Sequence, residues 1–132
     1  MSAKLETLGQ NLETLLGERI KSKKIALGEV TIEVTAADYL GVMQTLRDAP
    51  ELRFEELIDL CGVDYATYGN RENEGPRYAA VVHLLSVANN QRLRVRVFAD
   101  NNDFPSVPSV CGIWAAANWF EREAFDMIGV IF

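Results

Sequence analysis

The chain has 132 residues, of which 48% are hydrophobic and 24% charged, with four prolines, nine glycines and a formal net charge of −6. That composition fits a single soluble globular domain over residues 1–132, large enough to bury an ordinary core without disulfides or a structural metal. The acidity argues against nucleic acid, whose phosphates need clustered Lys and Arg. No run approaches the roughly 18 to 20 uninterrupted apolar residues of a membrane-spanning helix, and Met1 to Lys4 lacks the apolar run of a signal peptide.

In chain order, Leu5, Leu8, Leu12, Leu15 and Leu16 recur at helical spacing and Gly17 follows, so residues 3–16 are predicted as an amphipathic helix lying on a sheet or a partner. Ile20–Leu27 and Val30–Val34 flank Gly28-Glu29 and read as a hairpin with a tight turn. Leu40, Met43 and Leu46 give a helix over 36–48, which Pro50 stops. A short helix is predicted over Phe54–Leu60, then a strand over Cys61–Tyr68 and a charged hairpin loop over Gly69–Gly75, closed by Pro76. Tyr78–Val87 is apolar on both faces, as in a central strand, and Asn89-Asn90 turns it into Arg92–Ala99. Asp103–Pro108 reads as a linker, and Ser109–Ile128 as one long helix with Pro108 at its first position. Strands and helices grouped without regular βαβ alternation favour an α+β fold: a two-layer sandwich of about five strands, mixed or mostly antiparallel, with helices on one face.

Chemistry-bearing residues are sparse. Cys61 and Cys111 lie far apart and His83 is the one histidine, so neither a zinc cluster nor a Cys/His pair has its spacing, and a reduced cytosolic setting fits. His83, in an apolar strand, reads as a hydrogen-bonded core histidine rather than a base. No Gly-rich dinucleotide fingerprint or iron–sulfur cysteine set is present.

The most specific stretch is Asn118-Trp119-Phe120-Glu121-Arg122-Glu123-Ala124-Phe125-Asp126-Met127-Ile128-Gly129-Val130. Its Glu121-Arg122-Glu123 triplet, Asp126, the Met127-Ile128 pair, Trp119 and Gly129 resemble the signature of the 30-kDa subunit family of complex I, the NADH:quinone oxidoreductase. The upstream Pro105-Ser106-Val107-Pro108-Ser109-Val110 and the order of elements resemble it too. The family pattern continues with a basic residue and an arginine, whereas this chain stops at Phe132, so it looks shorter than the family's full length. An apolar end, Gly129 to Phe132, with little to bury it points the same way.

On a helical wheel Ala117, Phe120, Ala124, Phe125 and Ile128 share an apolar arc that contains Glu121, while Trp119, Arg122, Glu123 and Asp126 lie opposite. Arg122 and Asp126 can pair at i, i+4, or simply face solvent. A buried carboxylate needs a partner. Glu121 is therefore expected to meet an arginine, either from the stripe Arg92, Arg94, Arg96 or from the family's continuation, unless the helix bends and leaves it wet. The stripe is either an internal ion-pair ladder with Glu33 or a docking face. Trp114 and Trp119 read as packing anchors, or as interface residues.

The resemblance implies a subunit of the peripheral arm at the cytoplasmic face of the bacterial inner membrane, without catalytic residues or cofactor of its own. Flavin and iron–sulfur clusters would sit in partner subunits, among them the 49-kDa-type quinone-site subunit. The first helix and the arginine stripe are the candidate docking surfaces. The alternatives are the equivalent module of a membrane-bound hydrogenase or formate-oxidising complex, and a small hydrolase or ligand-binding domain, for which no convergent polar set is visible.

Overall fold

The computed structural model describes residues 3–26, 29–64, 78–99 and 106–132. They form helix α1 (Ala3–Leu16), a 3-10 turn (Gly17–Arg19), strands β1 (Ser22–Ala26) and β2 (Glu29–Val34), helix α2 (Ala36–Asp48), strands β3 (Glu56–Asp64), β4 (Tyr78–Ser86) and β5 (Gln91–Phe98), and helix α3 (Ala117–Ile128). The fold is α+β. Its five-stranded sheet runs β1-β2-β5-β4-β3; every neighbouring pair is antiparallel except β2 with β5, so the sheet is mixed.

Strand periodicity sorts the side chains. Val30, Ile32 and Val34 pair with Leu93, Val95 and Val97, which pair in turn with Leu84, Val82 and Ala80, and all nine are buried. The helices cover this face. Helix α1 lays Leu8, Leu12 and Leu16 into the core, so its apolar stripe lies on the sheet. Its Glu13 meets Lys23 of β1 at 2.6 Å. Helix α2 opens on Thr35, whose Oγ1 accepts the Asp38 N–H at 3.3 Å, and buries Tyr39, Val42, Met43 and Leu46. At Gly62 an added Cβ would collide with Ile128 Cδ1. The bare backbone there lets α3 settle against β3.

Three predicted elements are corrected. Residues 54–60 are not a helix: β3 already begins at Glu56. A shift in pairing between Leu57 and Asp59 lets Leu57 and Leu60 both point inward, so a β-bulge imitates helical spacing. The long helix over 109–128 starts only at Ala117. Residues 111–113 and 115–116 are turns, although Val110, Trp114 and Ala117 are buried at helix-like intervals. In the first hairpin Glu29 is not in the turn but pairs with Ala26 as part of β2. Gly28, residues 65–68 of the predicted third strand, the Gly69–Gly75 loop, Pro76 and Asp103 to Pro105 lie outside the described residues. The β4–β5 turn stands as predicted, with Asn90 in the left-handed region at φ 52°.

Candidate functional site

Among the described residues Glu121 is the buried acid, 5% exposed. It lies on the inner arc of α3, where the wheel places it. Its partners are not arginines: Oε1 accepts the Ser109 hydroxyl at 2.6 Å and Oε2 accepts the Val110 backbone N–H at 2.8 Å. Among the described residues it forms no ion pair. A continuous helix over 109–128 would separate Val110 from Glu121 by about 16 Å at 1.5 Å per residue. The chain therefore folds back before α3, and that reversal is what the carboxylate holds. Hydrogen bonds to a charged acceptor contribute about 1.5 to 3 kcal/mol each, more than neutral ones. Two further bonds pin the same segment: Trp114 Nε1–H donates to the Phe54 carbonyl at 3.1 Å, and Arg47 donates to the Ile113 carbonyl at 3.0 Å.

Past the helix, Gly129 adopts φ 84° and its N–H closes on the Phe125 carbonyl at 2.8 Å, a left-handed cap that favours glycine. Val130 is then fully buried and Phe132 packs on the core, so the apolar end is better covered than expected. Ile131 pairs with Ser106 in a parallel bridge, its carbonyl accepting the Val107 N–H at 2.8 Å.

Helix α3 and the residues just after it carry four of the eight large apolar side chains exposed among the described residues. Trp119, Phe125 and Met127 are 66%, 53% and 77% exposed, and Ile131 just beyond is 45% exposed. Trp119 is thus no packing anchor, in contrast to the buried Trp114. Phe125, expected in the apolar arc, sits at its edge and faces an open groove of about 520 Å³ lined by Glu121, Arg122, Phe125, Asp126, Ile131 and Phe132. Arg122, Glu123 and Asp126 are exposed, and Arg122 and Asp126 form no ion pair among the described residues.

The opposite sheet face is polar. Arg96 meets Glu33 at 3.1 Å and stacks over Phe98 with its guanidinium carbon 5.5 Å from the ring centroid. Arg94 meets Glu29 at 3.5 Å and the Thr31 hydroxyl at 3.2 Å, and Arg92 is exposed. The internal ladder thus accounts for two of the three arginines. His83 is not a hydrogen-bonded core residue. It stands on this face, 4.0 Å from Glu29 and 4.0 Å from Asp59, with Nδ1 lacking a hydrogen-bond partner among the described residues. Its strand looked apolar on both sides because Ala79 and Val81, which share the His83 side, are also shielded.

A profile described as the respiratory-chain NADH dehydrogenase 30-kDa subunit matches residues 32–132. The chain belongs to the 30-kDa subunit family of complex I. It is 65% identical over all 132 residues to an NADH-quinone oxidoreductase subunit of Dechloromonas aromatica and 61% identical to that of Burkholderia multivorans, spanning 66% of the length of each. In three dimensions it resembles a trypsin-resistant fragment (1–134) of Nqo5 with a TM-score of 0.77 at 26% identity, over 98% of this chain and 95% of that one. A chain of an archaeal membrane-bound sulfane sulfur reductase shares the fold at TM-score 0.77 and 21% identity, over 98% of this chain and 70% of that one.

Set on the structure, the stretch from Trp119 to Gly129 divides by direction. Glu121 and Gly129 shape the chain around α3, whereas Trp119, Arg122, Glu123 and Asp126 face outward. Sequence reasoning missed Ser109 and Val110 as the partners of Glu121; twelve and eleven positions separate them from it, and no local pattern signals the contact. Burial pushes the Tyr39 phenol well above its usual range, with the nearby Glu121 charge adding to the effect. Among the described residues no group of three His, Cys, Asp or Glu could hold a metal, and no helix is long and apolar enough to cross a membrane. The Ser109 hydroxyl that donates to Glu121 also lies 3.2 Å from Cys111 Sγ and accepts the Cys111 N–H at 3.2 Å, which ties the carboxylate to the turn before α3.

Proposed function

We propose that the chain is a non-catalytic bracing subunit of the peripheral arm of an NADH:quinone oxidoreductase, where flavin and iron–sulfur clusters in neighbouring subunits carry electrons to quinone and the complex couples this to proton translocation. Its place is the cytoplasmic face of the bacterial inner membrane, beside the 49-kDa-type quinone-site subunit and the cluster-bearing subunits. The observation that carries this reading is the outward side of α3. Large apolar side chains concentrated on one exposed element mark an interaction surface, and here they alternate with the outward charges of the family signature. Tryptophan is among the side chains most enriched at interface anchors. The hydrogenase or formate-oxidising alternative is disfavoured by the identity, over the whole of this chain, to NADH-quinone oxidoreductase relatives, while the sulfane sulfur reductase likeness speaks for the scaffold alone.

The test is co-purification of the full-length protein with cluster-containing neighbours from cells carrying Trp119→Ala or Met127→Ser. Both side chains are exposed, so folding should be unchanged while assembly weakens, by about 30-fold or more for the tryptophan if it is an anchor contributing at least 2 kcal/mol. Intact assembly in both variants, or NADH oxidation by the isolated chain, would overturn the proposal.

A further inference from the structure

The open face of the sheet carries a second surface, independent of α3. Beside β1 lies a groove of about 480 Å³ lined by Lys24, Arg94 and Arg96, with Thr31 and Val81 along it, while the side chain of bordering Lys23 turns to Glu13 on the helix-covered face. Among the described residues, four cations gather at this end of the polar face, Lys21, Lys24, Arg94 and Arg96, against the carboxylates of Glu29 and Glu33. Among the described residues positive charge is thus in local excess here, on a chain of net charge −6. Lys24 is exposed and has no ion pair among the described residues.

We propose that this groove seats an extended acidic segment of a partner protein. Arg94 and Arg96 are two apart on one strand, so their backbone positions stand about 6.6 Å apart. That is the spacing of alternate side chains in an extended peptide, and carboxylates at every second position fall opposite successive guanidiniums. Lys24 lies in the same cross-strand row as Arg94, through Thr31, and offers a third cation across the groove. The guanidiniums are held in place beforehand: Arg94 by Glu29 and Thr31, Arg96 by Glu33 and Phe98. Fixed, forked donors favour planar carboxylates in defined positions. The guanidinium of Arg96 is also recessed, its side chain 35% exposed. A narrow segment reaches it more readily than the flat surface of a membrane does.

The experiment uses the chain as it stands and a fluorescein-labelled ten-residue peptide of alternating Glu and Thr, with its Gln-Thr counterpart as control, read by fluorescence anisotropy at low and physiological salt. The acidic peptide should bind, weaken as salt rises, and lose about tenfold in affinity with Lys24→Glu, whose thermal unfolding should match the parent. Amide shifts on binding should fall on Thr31, Val81, Arg94 and Arg96. Trp119→Ala should leave this binding unchanged, so failure here is separable from failure of docking through α3. Equal affinity for the Gln-Thr peptide, shifts confined to α3, or Lys24-dependent binding to phosphatidylglycerol vesicles with none to the peptide would each overturn the proposal.

Discussion

Removing the Glu121 carboxylate is the sharpest perturbation of the C-terminal part. In Glu121→Ala both bonds vanish, the Ser109 hydroxyl can turn to solvent, and the buried Val110 N–H keeps no acceptor. An orphaned buried donor costs about 1 to 3 kcal/mol, and the lost contacts to a charged acceptor bring the total to about 3 kcal/mol. Gln should cost less, about 1 kcal/mol, because its oxygen still accepts from Val110 while its amide donates to a reoriented Ser109 hydroxyl. Ser109→Ala should fall between, near 1.5 kcal/mol, and the double variant with Glu121→Ala should cost less than the two singles added, since both break the same bond. Urea unfolding followed by tryptophan fluorescence measures all four, Trp114 being buried in the segment that the carboxylate holds. For a domain of this size 3 kcal/mol lowers the melting temperature by about 10 °C. A Glu121→Ala protein within about 0.5 kcal/mol of the parent would show that the reversal before α3 is held by packing alone.

Gly62→Ala should destabilise by about 1 to 3 kcal/mol, because its Cβ would overlap Ile128 Cδ1 and fall 2.9 Å from Cγ1; in an Ile128→Ala background the same change should cost almost nothing by urea titration. Tyr39 has a buried hydroxyl with no partner among the described residues, so Tyr39→Phe should be neutral or stabilising by up to about 1 kcal/mol near neutral pH. Its folded-state pKa is raised, so the tyrosine's pH-linked contribution to stability is complete below the unfolded value of about 10 and is lost as pH rises beyond it; melting of parent and Phe variant from pH 7 to 11 should show the parent losing ground only at the alkaline end. Burial, with Asp59 adding to it, raises the Cys61 thiol, so in a Cys111→Ser protein iodoacetamide at pH 8 should alkylate it several-fold more slowly than a free cysteine derivative.

Periodicity made most of this fold legible. The α1 leucines, the alternating β2 residues and the β4–β5 hairpin each carry a pattern that one element alone satisfies, and the structure keeps them. The misses share a cause. Leu57 and Leu60 imitate a helix because a bulge changes the count, and Val110, Trp114 and Ala117 imitate one because separate turns happen to repeat a helical interval. In both places non-local contacts decide the backbone, pairing with β4 in the first and the Glu121 carboxylate in the second. At the candidate site the wheel located the buried acid but could not supply its partners. The wheel already set Trp119 on the outward side with the charges, as found, whereas the exposure of Met127 was hidden, because a thioether side chain reads as core material until its surroundings are known.

The parallel seam of β2 and β5 bears on how the domain assembles. Strands β3, β4 and β5 form a meander of sequence neighbours, and β1 with β2 form a hairpin, so both can zip up from nearby residues. The seam instead unites residues 63 positions apart, as between Thr31 and Arg94. Closing so long a loop costs entropy before any contact offsets it, so this join is expected to form after the two local units, and the two halves are expected to part along it.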